Sequence, residues 1–137
     1  GPARPIGLAQ AGLIVLLVEN DPQLRRAMTV LMESWGVSVL EAENADTALD
    51  LLQDLEITPD ALLLDYQLGA GLTGTQLFGE ITQRMGRLPC AIVSADRSPA
   101  LAEACAALDI ELLSKPVDRH RLGRFFDAVA RGLLAAE

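Results

Sequence analysis

The chain is poor in several residue types, and each scarcity excludes something. It has one histidine, one tryptophan, one tyrosine and three phenylalanines. So few aromatics leave no stacking platform for nucleic-acid bases. Basic residues are outnumbered, with 11 Lys and Arg against 19 Asp and Glu, for a formal net charge of −8. A surface of that sign repels phosphate backbones, so no direct nucleic-acid contact is expected. Only two cysteines occur, Cys90 and Cys105, both in apolar surroundings. They read as small core residues rather than as a disulfide or a metal site. No apolar run approaches the roughly 18–20 residues of a membrane span. The longest, Gly12 to Val18, is strand-sized, so no membrane contact is expected. No basic-plus-apolar leader stands at the start, and a cytoplasmic location is expected. The opening Gly1-Pro2 resembles the scar of a cleaved tag, and residues 1–12 are read as tag remnant or linker.

What remains is half hydrophobic across 137 residues, enough for one compact domain with a core. Short apolar runs alternate with longer helical patterns. Leu13 to Val18 is an uninterrupted β-branched and leucine run, the mark of a strand buried on both faces. Asp21-Pro22 then supplies an N-cap and a proline at the first helical position. Leu24, Ala27, Met28, Leu31, Met32 and Trp35 follow at helical steps, with Gly36 as the stop. Val37 to Leu40 reads as a second strand. Asn44 caps a helix whose inner face is Ala45, Ala48, Leu49, Leu52 and Leu55, broken at Thr58-Pro59.

Ala61 to Leu64 is a third buried strand running into Asp65. After a glycine-rich loop, Thr73 and Gln76 suggest a capping box ahead of Leu77, Phe78, Ile81 and Met85. Pro89 to Ser94 is a fourth strand, and Ser98-Pro99 opens a helix with Leu101, Ala104, Cys105 and Leu108 inward. Ile110 to Leu113 is a fifth strand. A last helix from Asp118 has Leu122, Phe125, Phe126, Val129 and Leu133 as its apolar side. Strict strand–helix alternation predicts an α/β fold: a doubly wound parallel sheet with helices on both faces. Such sheets place sites at the carboxyl ends of strands, where strand order reverses.

The predicted strand ends carry chemistry. Glu19, Asn20 and Asp21 follow the first, Asp65 the third, Ser94 the fourth, and Ser114, Lys115 and Pro116 the fifth. A carboxylate can attack phosphorus and form an acyl phosphate. Phosphoryl transfer needs positioning and neutralisation of the equatorial oxygens. Mg²⁺ suits that role, and Glu19, Asn20, Asp65 and the Gln67 backbone carbonyl are its candidate ligands. Lys115 can pair with a phosphoryl oxygen as a point charge, and the Ser94 hydroxyl can donate to another. A cis peptide before Pro116 would aim Lys115 inward.

Val18-Glu-Asn-Asp-Pro22, Leu63-Leu-Asp-Tyr-Gln-Leu68, Val93-Ser-Ala95 and Ser114-Lys-Pro116 resemble the four signatures of response-regulator receiver domains of the CheY-like type. The resemblance implies a receiver domain over residues 13–135, with a five-stranded sheet of order 2-1-3-4-5 flanked by five helices. It implies a phosphorelay step in which Asp65 accepts a phosphoryl group from phosphohistidine with Mg²⁺. Lys115 and Ser94 would complete the site. The donor would be a histidine kinase core or a His-containing phosphotransfer domain. Catalysis would be limited to self-phosphorylation and slow loss of the phosphoryl group to water. Asn20-Asp21, Trp35-Gly36, Asp65-Tyr-Gln-Leu68 and Ala95-Asp-Arg97 further resemble C-terminal receivers of hybrid sensor histidine kinases. The family also implies a partner surface, and a possible homodimer, around the last helices.

The chain departs from the family pattern in three places. The second acid after the first strand is Asn20, so weaker Mg²⁺ binding is expected, while Asp21 reads as a helix cap. Leu68 and a Gly69-Ala-Gly71 loop, expected to be mobile, replace the usual Met-Pro. Leu112 stands where an aromatic switch residue is usual. These departures keep an alternative in view: a pseudo-receiver acting as a phosphorylation-independent interaction module. A hydrolase on the same fold is weaker, with Asp96 as its one spare carboxylate. His120 reads as a surface residue, Arg97 as solvated, Trp35 as packing the core edge, and Tyr66 as packing beside the site.

Overall fold

A computed structural model describes residues 12–132. Ten elements alternate without exception: β1 (Ile14–Val18), α1 (Pro22–Glu33), β2 (Ser38–Ala42), α2 (Ala45–Leu55), β3 (Ala61–Asp65), α3 (Gly74–Met85), β4 (Cys90–Ser94), α4 (Pro99–Ala107), β5 (Glu111–Ser114) and α5 (Arg119–Ala130). The five strands form one parallel sheet of order β2-β1-β3-β4-β5. The expected doubly wound architecture is the one observed. The order reverses between β1 and β3, which brings the end of β1 beside the end of β3.

The period-2 geometry of each strand divides one apolar run between two cores. Leu16 and Val18 of β1 join Leu62 and Leu64 of β3 and Ile92 of β4 under α2, α3 and α4. Val15 and Leu17 join Leu63, Ala91, Val93 and Leu113 under α1 and α5 on the other face. There Trp35 packs edge-on against Phe126, with ring centroids 6.4 Å apart. Trp35 is fully buried, deeper than the core edge expected for it.

Local signals start every helix. Side chains of Asp21, Asn44, Thr73, Ser98 and Asp118 accept from backbone N–H groups in the first turns of α1 to α5. Thr73 and Gln76 form the full capping box: the Gln76 N–H donates to Thr73 Oγ1 at 3.3 Å and the Thr73 N–H donates to Gln76 Oε1 at 2.9 Å. At Asp118 the backbone N–H of His120 lowers the carboxyl pKa by favouring the charged form.

The structure corrects several inward assignments. Leu55 is 43% exposed and Leu108 38% exposed, each at the last turn or cap of its helix, where the sheet no longer lies beneath. Ala27 and Ala104 face solvent, and Thr29 turns inward beside Met28 and Met32. Helix α2 ends before Thr58-Pro59, because Glu56 takes a left-handed conformation (φ 52°) as its cap. Strand boundaries move by one or two residues: β1 starts at Ile14, β2 runs Ser38–Ala42, β3 includes Asp65, β4 starts at Cys90, and β5 runs Glu111–Ser114. The leader, apart from Gly12, and Leu133 lie outside the described residues. Cys90 and Cys105 are free, buried and in the same core, and burial raises both thiol pKa values.

Candidate functional site

Three strand ends and the loops beyond them build the site. Glu19 leaves β1 in a position set at every polar atom. Its N–H donates to the Ala42 carbonyl at 3.0 Å, extending the ladder to β2. Its Oε2 accepts the Asp21 N–H at 3.0 Å, and its Oε1 lies 3.1 Å from Lys115 Nζ. Asp65 ends β3. Its Oδ2 lies 3.1 Å from the same Lys115 Nζ, and its Oδ1 accepts the Gln67 N–H at 3.3 Å. Lys115 therefore bridges two carboxylates that are 1% and 4% exposed at the residue level.

The β4 end holds Lys115 from behind. The Lys115 N–H donates to the Ser94 carbonyl at 2.9 Å, and the following Lys115-Pro116 peptide is cis. The expected cis bond and the expected inward lysine are both present. Ser94 is buried, and its Oγ accepts the Asp96 N–H at 3.0 Å, which leaves the hydroxyl proton free to be donated elsewhere. Arg97 is exposed but tied, donating from Nη2 to the Lys115 carbonyl at 3.3 Å. His120 is on the surface, as expected.

Above these groups lies a cleft of about 600 Å³. Glu19, Asn20, Asp21, Asp65, Gln67 and Lys115 line it, so the acid–amide pair, the candidate phosphoacceptor and the lysine share one cavity. Ser94 is not among its lining residues. It sits at the neighbouring strand end, paired with Ser114. Asp21 lines the cleft and is also the α1 cap, its Oδ1 accepting from Gln23 N–H at 3.0 Å and Leu24 N–H at 3.4 Å. Tyr66 is half-buried and lines the cleft.

Sequence reasoning missed two neighbours. Thr73, read only as a cap, also lines the cleft, because α3 starts against the end of β3. Gly74 makes that approach possible: a Cβ there would fall 2.3 Å from the Asp65 carbonyl oxygen. A glycine one residue after the cap, close behind a strand end, was the available signal. Gly69 and Gly71 both take positive φ (82° and 97°), which accounts for glycines in the β3–α3 loop.

The electrostatics follow from burial. Desolvation, then the neighbouring Glu19 carboxylate, pushes the Asp65 pKa up to about 6 against the opposing pull of Lys115. Burial alone would lower the Lys115 pKa, but its hydrogen bonds to Glu19 and Asp65 and their charges outweigh it, and the net direction is up. Three carboxylates, Glu19, Asp21 and Asp65, line one cleft against one ammonium and leave the cavity electronegative. Among the described residues no cluster of three or more His, Cys, Asp or Glu side chains is placed to hold a metal. The candidate donors are the Glu19 and Asp65 carboxylates, the Asn20 amide and the Gln67 backbone carbonyl, while the Asp21 carboxylate caps α1. That set fits Mg²⁺, which takes hard oxygens from one or two carboxylates and keeps several waters. It does not fit a soft or multi-histidine metal.

Comparison with known proteins agrees with this geometry. The family pattern described as response regulator receiver domain matches residues 15–126. The chain is 31% identical over 116 residues to transcriptional regulatory protein GlrR of Escherichia coli (strain K12), covering 82% of this chain and 25% of that one. It therefore spans about a quarter of that relative's length. It is 28% identical over 123 residues to protein PilH of Pseudomonas aeruginosa, covering 86% of this chain and 98% of that one. The receiver domain of Francisella response regulator 1452 superposes with a TM-score of 0.79 at 18% identity, covering 90% of this chain and all of that one, a likeness of fold alone. Since the matched pattern takes in both cores and all three strand ends of the cleft, the chain belongs to the response regulator receiver domain family.

Proposed function

We propose that this domain accepts a phosphoryl group on Asp65 from a phosphohistidine donor. The observation that carries the reading is the buried Asp65 carboxylate, open to a cleft and 3.1 Å from an ammonium that also holds Glu19. An Asp65 carboxylate oxygen attacks phosphorus and the histidine N–P bond breaks. The electron pair stays on the imidazole nitrogen, and the ring leaves neutral when its other nitrogen is protonated. Lys115 neutralises charge on a phosphoryl oxygen, and Ser94 has a hydroxyl proton available for another. Glu19, Asn20 and Asp65, with the Gln67 carbonyl, would hold Mg²⁺, which supplies further neutralisation of the transferring group when bound. Lys115 also keeps Asp65 from meeting Glu19 unscreened in the resting protein.

The donor in this reading is a histidine kinase core or a His-containing phosphotransfer domain. The sub-motifs around Asn20, Trp35, Tyr66 and Arg97 support a place at the C-terminus of a hybrid sensor kinase in the cytoplasm. Homodimerisation through the last helices belongs to the same reading, and sedimentation of the phosphorylated and free domain tests it. The main test is intact mass after incubation with Mg²⁺ and acetyl phosphate. A labile gain of one phosphoryl group, absent in Asp65→Asn, is expected. An adduct that persists unchanged in Asp65→Asn, or none in the wild type, would overturn the assignment.

A further inference from the structure

Arg25, on the first turn of α1, reaches back to the main chain of the acid–amide turn. Its Nη1 donates to the Glu19 carbonyl at 2.6 Å, while its Nε donates to Glu41 Oε1 of β2 at 3.2 Å. Its two partners take different nitrogens of one planar fork, an arrangement a lysine cannot copy. The Glu19 N–H, Oε1 and Oε2 already have partners in Ala42, Lys115 and Asp21. The carbonyl is the last polar group of that residue, and Arg25 is the side chain that holds it. That carbonyl belongs to the peptide joining Glu19 to Asn20. Its orientation sets the direction in which the Asn20 side chain leaves the backbone.

We propose that Arg25 is a positioning residue for Mg²⁺ binding, holding the Glu19–Asn20 peptide in register with the cleft, and that Glu41 anchors and neutralises it. The inference rests on the Mg²⁺ reading above. Asn20 is exposed and lines the cleft, and as an amide it brings no charge to a cation. A ligand without charge depends more on alignment than a carboxylate does, so its peptide must be held. Partly exposed ion pairs contribute little to stability. The Arg25–Glu41 pair, with side chains 19% and 33% exposed, is therefore better explained by what it orients than by what it stabilises. Glu41 has a second role. A guanidinium bonded to the Glu19 carbonyl brings positive charge close to a cation site, and Glu41 balances it.

Calorimetric Mg²⁺ titration of the wild-type domain, Arg25→Met, Arg25→Lys and Glu41→Gln tests this, with thermal melts run beside it. Partners in the outer shell of a metal site typically shift affinity about 10–100-fold. Arg25→Met is expected to raise the Mg²⁺ Kd about tenfold, Arg25→Lys to recover only part of that loss, and Glu41→Gln to raise it about threefold. Amide resonances of Asn20 and Gln67 should lose their Mg²⁺-dependent shifts in parallel. A lower melting temperature with Kd within twofold of wild type in both Arg25→Met and Glu41→Gln would mean a structural role only, and overturns the proposal. Should Arg25→Met fail to fold, Glu41→Gln decides alone, and an unchanged Kd there overturns it. A wild-type domain that binds no Mg²⁺ overturns the metal reading together with this one. A wild type that binds Mg²⁺ as tightly as its Arg25 variants overturns this inference alone.

Discussion

Asp60 and Asp65 bracket one strand, five residues apart, and lead opposite lives. Asp60 precedes β3 at the amino edge of the sheet. It is exposed, and its carboxylate accepts the Ile14 N–H at 2.8 Å, finishing the ladder between β1 and β3. Asp65 closes the same strand at the carboxyl edge. It is 4% exposed, and burial with Glu19 beside it raises its pKa to about 6. Parallel strands explain the contrast. Every β-to-α connection leaves from the carboxyl edge, so loops gather over Asp65 and bring Glu19 and Lys115 with them. At the amino edge the chain arrives from solvent, and a carboxylate there need only satisfy one backbone donor. The same residue type is a structural peg at one edge and a desolvated carboxylate at the other.

The strongest way to break this contrast is to deny the carboxyl edge its close packing. Gly74→Val would place its Cβ 2.3 Å from the Asp65 carbonyl oxygen, with backbone rather than a flexible side chain in the way. A loss of about 3 kcal/mol or more is expected in urea unfolding, against under about 1 kcal/mol for Gly79→Val on the open face of α3, where no atom lies within 4 Å. Lys115→Met comes next. It leaves Glu19 and Asp65 buried without their shared counter-charge, and about 2–4 kcal/mol should be lost at pH 8. The loss should shrink when Asp65→Asn is added, because one of the two carboxylates is then gone.

Asp65→Asn sharpens the comparison through pH. A folded pKa of about 6, above the ordinary carboxylate value of 3.8, means the folded state holds its proton after the unfolded chain has lost it. The wild type is therefore fully stable with respect to this group below about pH 4. That stability is lost as pH rises through about 6. In metal-free protein Asp65→Asn should gain about 1–3 kcal/mol at pH 8, with the gain vanishing near pH 4. A flat Asp65→Asn difference across that range would mean the carboxylate is not desolvated as described. The smallest effect is expected at Thr73→Ala, which removes half of the capping box for about 1 kcal/mol, read from the same unfolding curves.

Much of this contrast was legible beforehand. The runs at Leu13 to Val18 and Ala61 to Leu64 read as doubly buried strands, and each helix announced itself by Asp21, Asn44, Thr73, Ser98 or Asp118. Those signals are local, set by side-chain size and by oxygens that reach a neighbouring N–H. Leu55 and Leu108 were misread because an apolar residue at helical spacing faces a core only where the helix still overlies the sheet, whereas Ala104 lies within α4 at the side of its buried stripe of Leu101 and Cys105. Thr29 was passed over because its polarity hid an inward position. Trp35 lies beyond the end of α1, yet packs against Phe126 of a helix distant in sequence, a contact no local period encodes.

By itself the order of residues determined the alternation of strands and helices, the caps, and which chemical groups stand at which strand end. These depend on interactions a few residues long, and they would read the same in any chain with this sequence. Only the folded sheet decided that one ammonium touches both Glu19 and Asp65, that Ser94 lies beside the cleft rather than in its lining, and that Arg25 spans from α1 to the end of β1 and to β2. Those contacts join residues from separate elements. Their distances are set by strand register and by how each helix settles on the sheet, and no stretch of sequence contains either.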